Sequence, residues 1–232
     1  MLKIENFEVV GWEHAIRGMR NPMNSWDKSD SFFWVTDSID PVEWNIAETV
    51  KSDMFSVYVG GKDHRLMMNL AKGGPVHAKY RRMIAVYLDV TAPLYWWKEF
   101  DTYKVGTVRN SCSTMHKIHV EPFTFDNFAH DAIDNVYIAR TAFEYIVSTL
   151  EELRMLFNQT QLKEYWRAMI QLLPDGFLMK ATLMLNYEVL VGIYRDRKNH
   201  KLDEWHVFCD WISELPYSEI IIGARDDVEE RD

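Results

Sequence analysis

Between Lys104 and His116, eight of thirteen residues carry a charged or hydrogen-bonding side chain: Lys104, Thr107, Arg109, Asn110, Ser111, Ser113, Thr114 and His116. Cations, hydroxyls and amides at this density can engage phosphate oxygens, a ribose or a base edge. The same composition also suits a solvated turn, and the residues alone leave both readings open. The densest basic run, Arg195, Arg197, Lys198, His200 and Lys201, reads either as an anion contact or as cations that favour a helix C-terminus. His77, Lys79, Arg81 and Arg82 offer a further anion contact, or a charged entry to the strand after them. Cys112 becomes a nucleophile only if Lys104 or Arg109 lowers its pKa; otherwise it is a small hydrophobe.

Other chemistries are disfavoured. His116 and His119 are spaced i, i+3 on an expected strand, which points them to opposite faces, and no Cys or carboxylate spacing completes a metal site. Two cysteines in 232 residues, Cys112 and Cys209, make neither a disulfide framework nor a CxxC pair. There is no GxGxxG and no GxxxxGK[ST], so neither a Rossmann nor a P-loop reading has support. The balance of 26 basic against 35 acidic residues gives a net charge of −9, which disfavours a nucleic acid polymer as partner. No apolar run approaches the roughly 18 residues of a spanning helix, and no secretory leader is evident. No membrane partner and a cytoplasmic location are therefore expected.

The elements that must position these residues follow from periodicity. Ile4, Phe7, Val9 and Val10 suggest a strand over Lys3–Trp12, followed by a short helix over Glu13–Arg20. Residues 21–42 are rich in turn formers and read as a long loop. Asp63 suits an N-cap before a helix over His64–Lys72, which Gly73-Gly74-Pro75 stops. Ile84, Val86, Leu88 and Val90 alternate on one face of a strand over Met83–Thr91, and Pro93 opens a helix bearing Trp96, Phe100 and Tyr103. Ile138, Ala142, Tyr145 and Ile146 stripe a long helix over Asp131–Phe157; further helices are expected over Leu162–Leu173, Phe177–Tyr194 and Leu202–Leu215. The expectation is an α+β fold, a small antiparallel sheet with a predominantly helical second half, in one domain over residues 1–232 with a tail from about 216.

Strand, Ala92-Pro93, aromatic helix and polar loop occur in an order that resembles the flavin-dependent thymidylate synthases, whose helix carries the motif RHRxxSxNExSxRY. Counted from Ala92-Pro93, the RHR triplet falls on Thr102, Tyr103 and Lys104, the first Ser on Thr107, the Asn-Glu pair near Arg109 to Cys112, and the closing Ser and Arg-Tyr within Cys112 to His116. A second similarity is a helix, a basic turn and another helix over Asn186–Trp205. The resemblance implies FAD and dUMP as ligands, a homotetramer with sites shared between subunits, nucleotide-phosphate contacts from Arg195, Arg197 and Lys198, and a motif role for Tyr103. Replacing Arg-His-Arg by Thr102-Tyr103-Lys104 removes a planar fork and an imidazole, which Lys cannot reproduce. The expected function is therefore a nucleotide-binding protein on this scaffold without the family's reaction. The alternatives are a divergent FAD-dependent enzyme methylating dUMP and an adaptor whose aromatic residues serve assembly.

Overall fold

The computed structural model describes residues 2–35, 50–51 and 55–223. In chain order the elements are β1 (Lys3–Val10), α1 (Trp12–Arg20), β2 (Phe32–Val35), β3 (Val50–Lys51), β4 (Phe55–Tyr58), α2 (Gly61–Lys72), β5 (Ala85–Pro93), α3 (Leu94–Phe100), β6 (Val108–Ser111), α4 (Thr114–Lys117), α5 (Asp131–Asp134), α6 (Tyr137–Thr160), α7 (Lys163–Leu172), β7 (Leu178–Asn186), α8 (Tyr187–Arg197), α9 (Asp203–Ser213) and α10 (Glu219–Ile222). Four strands form a sheet of order β1-β5-β7-β6, and three form a second of order β2-β4-β3, antiparallel with Phe32 opposite Tyr58 and Phe33 opposite Val57. The fold is α+β, with a small antiparallel sheet and a helix-rich second half.

By backbone proximity the chain divides into two compact units. The first comprises residues 1–4, 90–102 and 110–182. Its core is aromatic: Phe123, Phe128 and Phe143 pack with Ile118, Val147, Leu150 and Met169. Phe128 meets Phe143 and Phe177 edge-on at 5.3 and 5.6 Å, the arrangement that aligns ring edges with ring faces. The second unit comprises residues 5–89, 103–109 and 183–232. There Trp12 stands edge-on to Tyr187 at 5.5 Å and to Tyr217 at 5.3 Å, and α8 packs with α9 and α10.

Several expectations are corrected. Phe177–Tyr194 is not one helix: Leu178–Asn186 is strand β7, and α8 begins at Tyr187, capped by the Asn186 side chain accepting from the Val189 N–H. Apolar runs of this length suit a buried strand as well as a helix. His116 lies in helix α4, not in a strand, because Ser113 caps it by accepting the His116 N–H. On α6 the buried stripe is Phe143, Val147 and Leu150, whereas Ile138 and Tyr145 are exposed. Both stripes satisfy helical spacing, and the aromatic core takes the one bearing Phe. Pro93 closes β5 rather than opening α3, which begins at Leu94. Within the expected loop over 21–42, Phe32–Val35 is strand β2, and residues 36–42 lie outside the described ones. Residues 219–222, expected in the tail, form α10 with Ile220 and Ile221 buried, because its apolar face packs into the second unit. Residues 224–232 lie outside the described ones.

Asp63 is not an N-cap but a buried member of the first turn of α2; Asp30 instead accepts from the Lys62 and Asp63 N–H groups. The Asp63 carboxylate accepts from Arg20 Nε at 2.6 Å, from the Ser29 and Ser31 hydroxyls at 2.6 and 2.7 Å, and from the Asp30 N–H. Arg20 in turn donates to the Ser25 and Lys28 carbonyls. Burial works to raise the Asp63 pKa, but the Ser29, Ser31 and Arg20 hydrogen bonds outweigh it and hold the carboxyl below its usual value. The network ties the turn over 24–31 to α1 and α2.

Candidate functional site

Tyr103 and Arg197, 94 residues apart in sequence, meet in the second unit: Arg197 Nε donates to Tyr103 Oη at 2.9 Å. The guanidinium carbon stands 4.6 Å from the Trp205 ring centroid and 5.6 Å from that of Tyr103. Trp205 is fully buried at the start of α9 and meets Tyr103 edge-on at 6.2 Å and His200 at 6.3 Å. The planar cation is thus fixed against two aromatic faces, an orientation a Lys would not hold. Burial pushes the Tyr103 phenol pKa up despite the opposing pull of Arg197, so the hydroxyl stays protonated.

The polar loop is held along α8. Gly106 has φ +80°, and a Cβ there would come within 3.0 Å of Asn186 Nδ2 and 3.1 Å of Val189 Cγ2, so only glycine lets the loop approach this closely. Next to it the Thr107 Oγ1 is buried and meets no hydrogen-bond partner among the described residues. Such a group costs stability unless a ligand or water completes it. Lys104 is exposed on the same loop, and Arg109 is half-buried on β6. In the same unit an open cavity of about 460 Å³ is lined by Tyr194, Lys198, Asn199, His200, His206, Cys209 and Asp210. The Lys198 ammonium lies 5.9 Å from the Tyr194 ring centroid. Burial, with Asp210 adding to it, pushes the Cys209 thiol up to about 11, which makes it inert.

The other sequence candidates fall elsewhere. Asn110, Ser111, Ser113, Thr114 and His116 belong to the first unit, where Ser113 and Thr114 line a cavity of about 280 Å³ with Cys112. Arg195 is exposed and ion-paired to Asp196 at 2.7 Å. Arg81 is buried, with Nη1 3.4 Å from Glu188, because the helical turn over 79–83 packs on α1 and α8. That placement takes it out of reach of a ligand from solvent, and His77, Lys79 and Arg82 stay exposed around it. Among the described residues no group of three or more His, Cys, Asp or Glu side chains is placed to hold a metal ion. Nor, among those residues, is any helix long and apolar enough to cross a membrane. Sequence reasoning missed Trp205 as the platform under Arg197, although an aromatic next to a basic turn is a readable signal.

No family model matches the chain, and no curated protein does. The fold is nonetheless that of the flavin-dependent thymidylate synthases. The chain is similar to a thymidylate synthase X from Helicobacter pylori, solved with FAD and dUMP, at 14% identity and a TM-score of 0.65, covering 97% of this chain and 98% of that one. A second structure of the Helicobacter pylori enzyme with FAD and dUMP gives 15% and 0.62, with the same coverage. The UMP/dUMP methylase PolB from Streptomyces cacaoi, bound with 5-Br dUMP, gives 12% and 0.60, covering 96% of this chain and 94% of that one.

Proposed function

We propose that this protein binds a nucleotide on a thymidylate-synthase-like scaffold without carrying out thymidylate synthesis. The observation that carries the reading is the Tyr103–Arg197 contact: two segments singled out for phosphate and base chemistry converge on one fixed guanidinium. Lys104, exposed on the motif loop, and Lys198, one residue after Arg197, add positive charge in the same unit. The neighbours solved with dUMP or 5-Br dUMP place this ligand class on the same fold. Fold alone does not carry function, so the residues must.

The two neighbours holding FAD favour a second reading, a divergent flavoenzyme in which Lys104, Arg109 and Arg197 replace the missing arginines. The dinucleotide's diphosphate needs several cations in one cradle. Here Arg197 is stacked on Trp205, Arg195 is paired with Asp196 and Arg81 is buried against Glu188. Among the described residues, the guanidiniums of Arg81, Arg195 and Arg197 are not gathered in one cradle. We also infer a homo-oligomer, supported by the exposed Tyr137, Ile138 and Tyr145 of α6, a face that a second copy would cover. An adaptor with no small ligand remains the third reading.

The visible absorption spectrum after FAD addition and a thermal-shift series with dUMP, UMP and other nucleotides test these readings. Stabilisation by a nucleotide without flavin bands is the expected result. Flavin bands together with dUMP stabilisation favour the enzyme reading, and no shift with any nucleotide overturns the binding reading.

A further inference from the structure

The open cavity of about 460 Å³ lies along the helix that supplies the platform under Arg197. Trp205, beneath the guanidinium, and Cys209, in the cavity wall, are i and i+4 on α9 and so sit one turn apart on one face. Burial raises the Cys209 thiol pKa most, and the Arg197 charge is near enough to pull against it. The cavity and the fixed cation are therefore neighbours within one unit. The volume falls inside the roughly 300 to 1,000 Å³ of ligand sites, enough for part of a nucleotide.

The lining selects which part. Asn199, His200, His206 and Asp210 make it polar, with Lys198 as its one ammonium and Asp210 as its one carboxylate. A phosphate placed there would meet Asp210, and a base would find a single ring, Tyr194, which the Lys198 ammonium already approaches at 5.9 Å. The polar sugar is the portion that suits these walls. His206 and Asp210, again i and i+4 on α9, both border the cavity. Asp210 is exposed, and among the described residues no hydrogen bond or ion pair engages its carboxylate or the Asn199 amide. An ionised carboxylate only accepts, so whatever meets Asp210 must donate. A ribose presents two adjacent donors, its 2′- and 3′-hydroxyls, whereas a 2′-deoxyribose presents one; an acidic side chain on the ribose 2′-hydroxyl is an established mode of nucleotide recognition. We propose that the cavity is a ribose subsite in which Asp210 accepts from the 2′- and 3′-hydroxyls, so that the protein takes ribonucleotides in preference to 2′-deoxyribonucleotides. This rests on the nucleotide reading, with the phosphate at Arg197, and it departs from the dUMP held by the Helicobacter pylori neighbours.

Isothermal titration of the full chain with the pairs UMP and dUMP, GMP and dGMP, and AMP and dAMP reads the proposal. Loss of one hydrogen bond to a charged acceptor at an open site should weaken each deoxynucleotide roughly tenfold against its ribose partner. 2′-O-methyl-UMP, which keeps the oxygen but cannot donate from it, should bind no better than dUMP. Asp210→Ala, an exposed change on α9, should bring the ratio of UMP to dUMP affinity to about one, with unchanged circular dichroism showing that the fold is kept. Asp210→Asn, which retains one acceptor oxygen, should keep part of the preference. A merely structural role for Asp210 would weaken both members of a pair alike and leave the ratio untouched. Equal affinity within every pair in the unaltered protein overturns the ribose subsite and leaves the nucleotide reading standing, as does a preference that follows the base and ignores the sugar. A ribose preference that survives Asp210→Ala also overturns it, since the discrimination would then lie elsewhere. Binding of none of these nucleotides overturns the nucleotide reading and this inference with it.

Discussion

Arg197→Ala removes a guanidinium that does two separable things. Within the fold, its Nε bond to Tyr103 and its stacking over Trp205 at 4.6 Å both disappear. A hydrogen bond with one charged member contributes about 1.5–3 kcal/mol and a partly desolvated cation–π contact about 1–2. Arg197 is only half-buried, and truncation lets water reach Tyr103, so the net loss of stability should be about 2 kcal/mol. On a nucleotide phosphate, the loss of the same cation should weaken binding by about 1.5–3 kcal/mol, a rise in Kd of roughly 10- to 150-fold. Tyr103→Phe separates the two effects: it removes one hydrogen bond within the fold, about 1 kcal/mol, and touches the phosphate only through the orientation of Arg197. Isothermal titration with the best-stabilising nucleotide, run beside urea unfolding, measures both quantities. If Arg197→Ala unfolds more readily yet binds with unchanged affinity, the guanidinium is a structural cation over an aromatic platform and the site reading fails.

Lys104→Ala should weaken the same nucleotide by about 1 kcal/mol without a change in stability, since its side chain is exposed; equal affinity by titration removes it from the site. Asp63→Ala should cost about 3–5 kcal/mol in chemical denaturation, because it strands Arg20 in a buried position with its partner gone. The Asp63 carboxyl titrates below its usual value in the fold, so its contribution should be complete above pH about 4, where the unfolded group is ionised, and disappear as pH falls through the lower folded value. An acid-unfolding profile left unchanged by Asp63→Asn would contradict this. Gly106→Ala should destabilise by about 1–2 kcal/mol, because φ +80° is costly with a Cβ and Asn186 must give way; unchanged thermal stability would mean the loop does not bear on α8.

How much of this could be read from the sequence depends on the length of the signal. β5 was legible because Val86, Leu88 and Val90 alternate along it and are buried, with Ile84 just before it continuing the same buried face. The end of α2 was legible from Gly73-Gly74-Pro75, but not its start, since Asp63 has the chemistry of a cap and is instead claimed by Arg20, 43 residues away. A partner that distant leaves no local mark. β7 was misread because a run of Leu, Met and Ala satisfies strand and helix alike. For the candidate site, residue types pointed to the motif loop and the basic turn, but only the fold pairs Tyr103 with Arg197. The division of the motif region, with Lys104 to Arg109 in one unit and Asn110 to His116 in the other, has no counterpart in the spacing of the letters.

The stitching of the second unit bears on how the chain is made. The Tyr217 hydroxyl accepts from the Val59 N–H, His64 meets Glu219 at 2.6 Å, and the Tyr187 hydroxyl donates to the Pro216 carbonyl. Residues synthesised early are therefore completed by residues that leave the ribosome more than 150 positions later. Most of the first unit, residues 110–182, is continuous and can collapse during translation. At roughly 5–20 residues per second, the Trp12 ring waits on the order of ten seconds or more for Tyr187 and Tyr217, a window in which that surface is open to other chains.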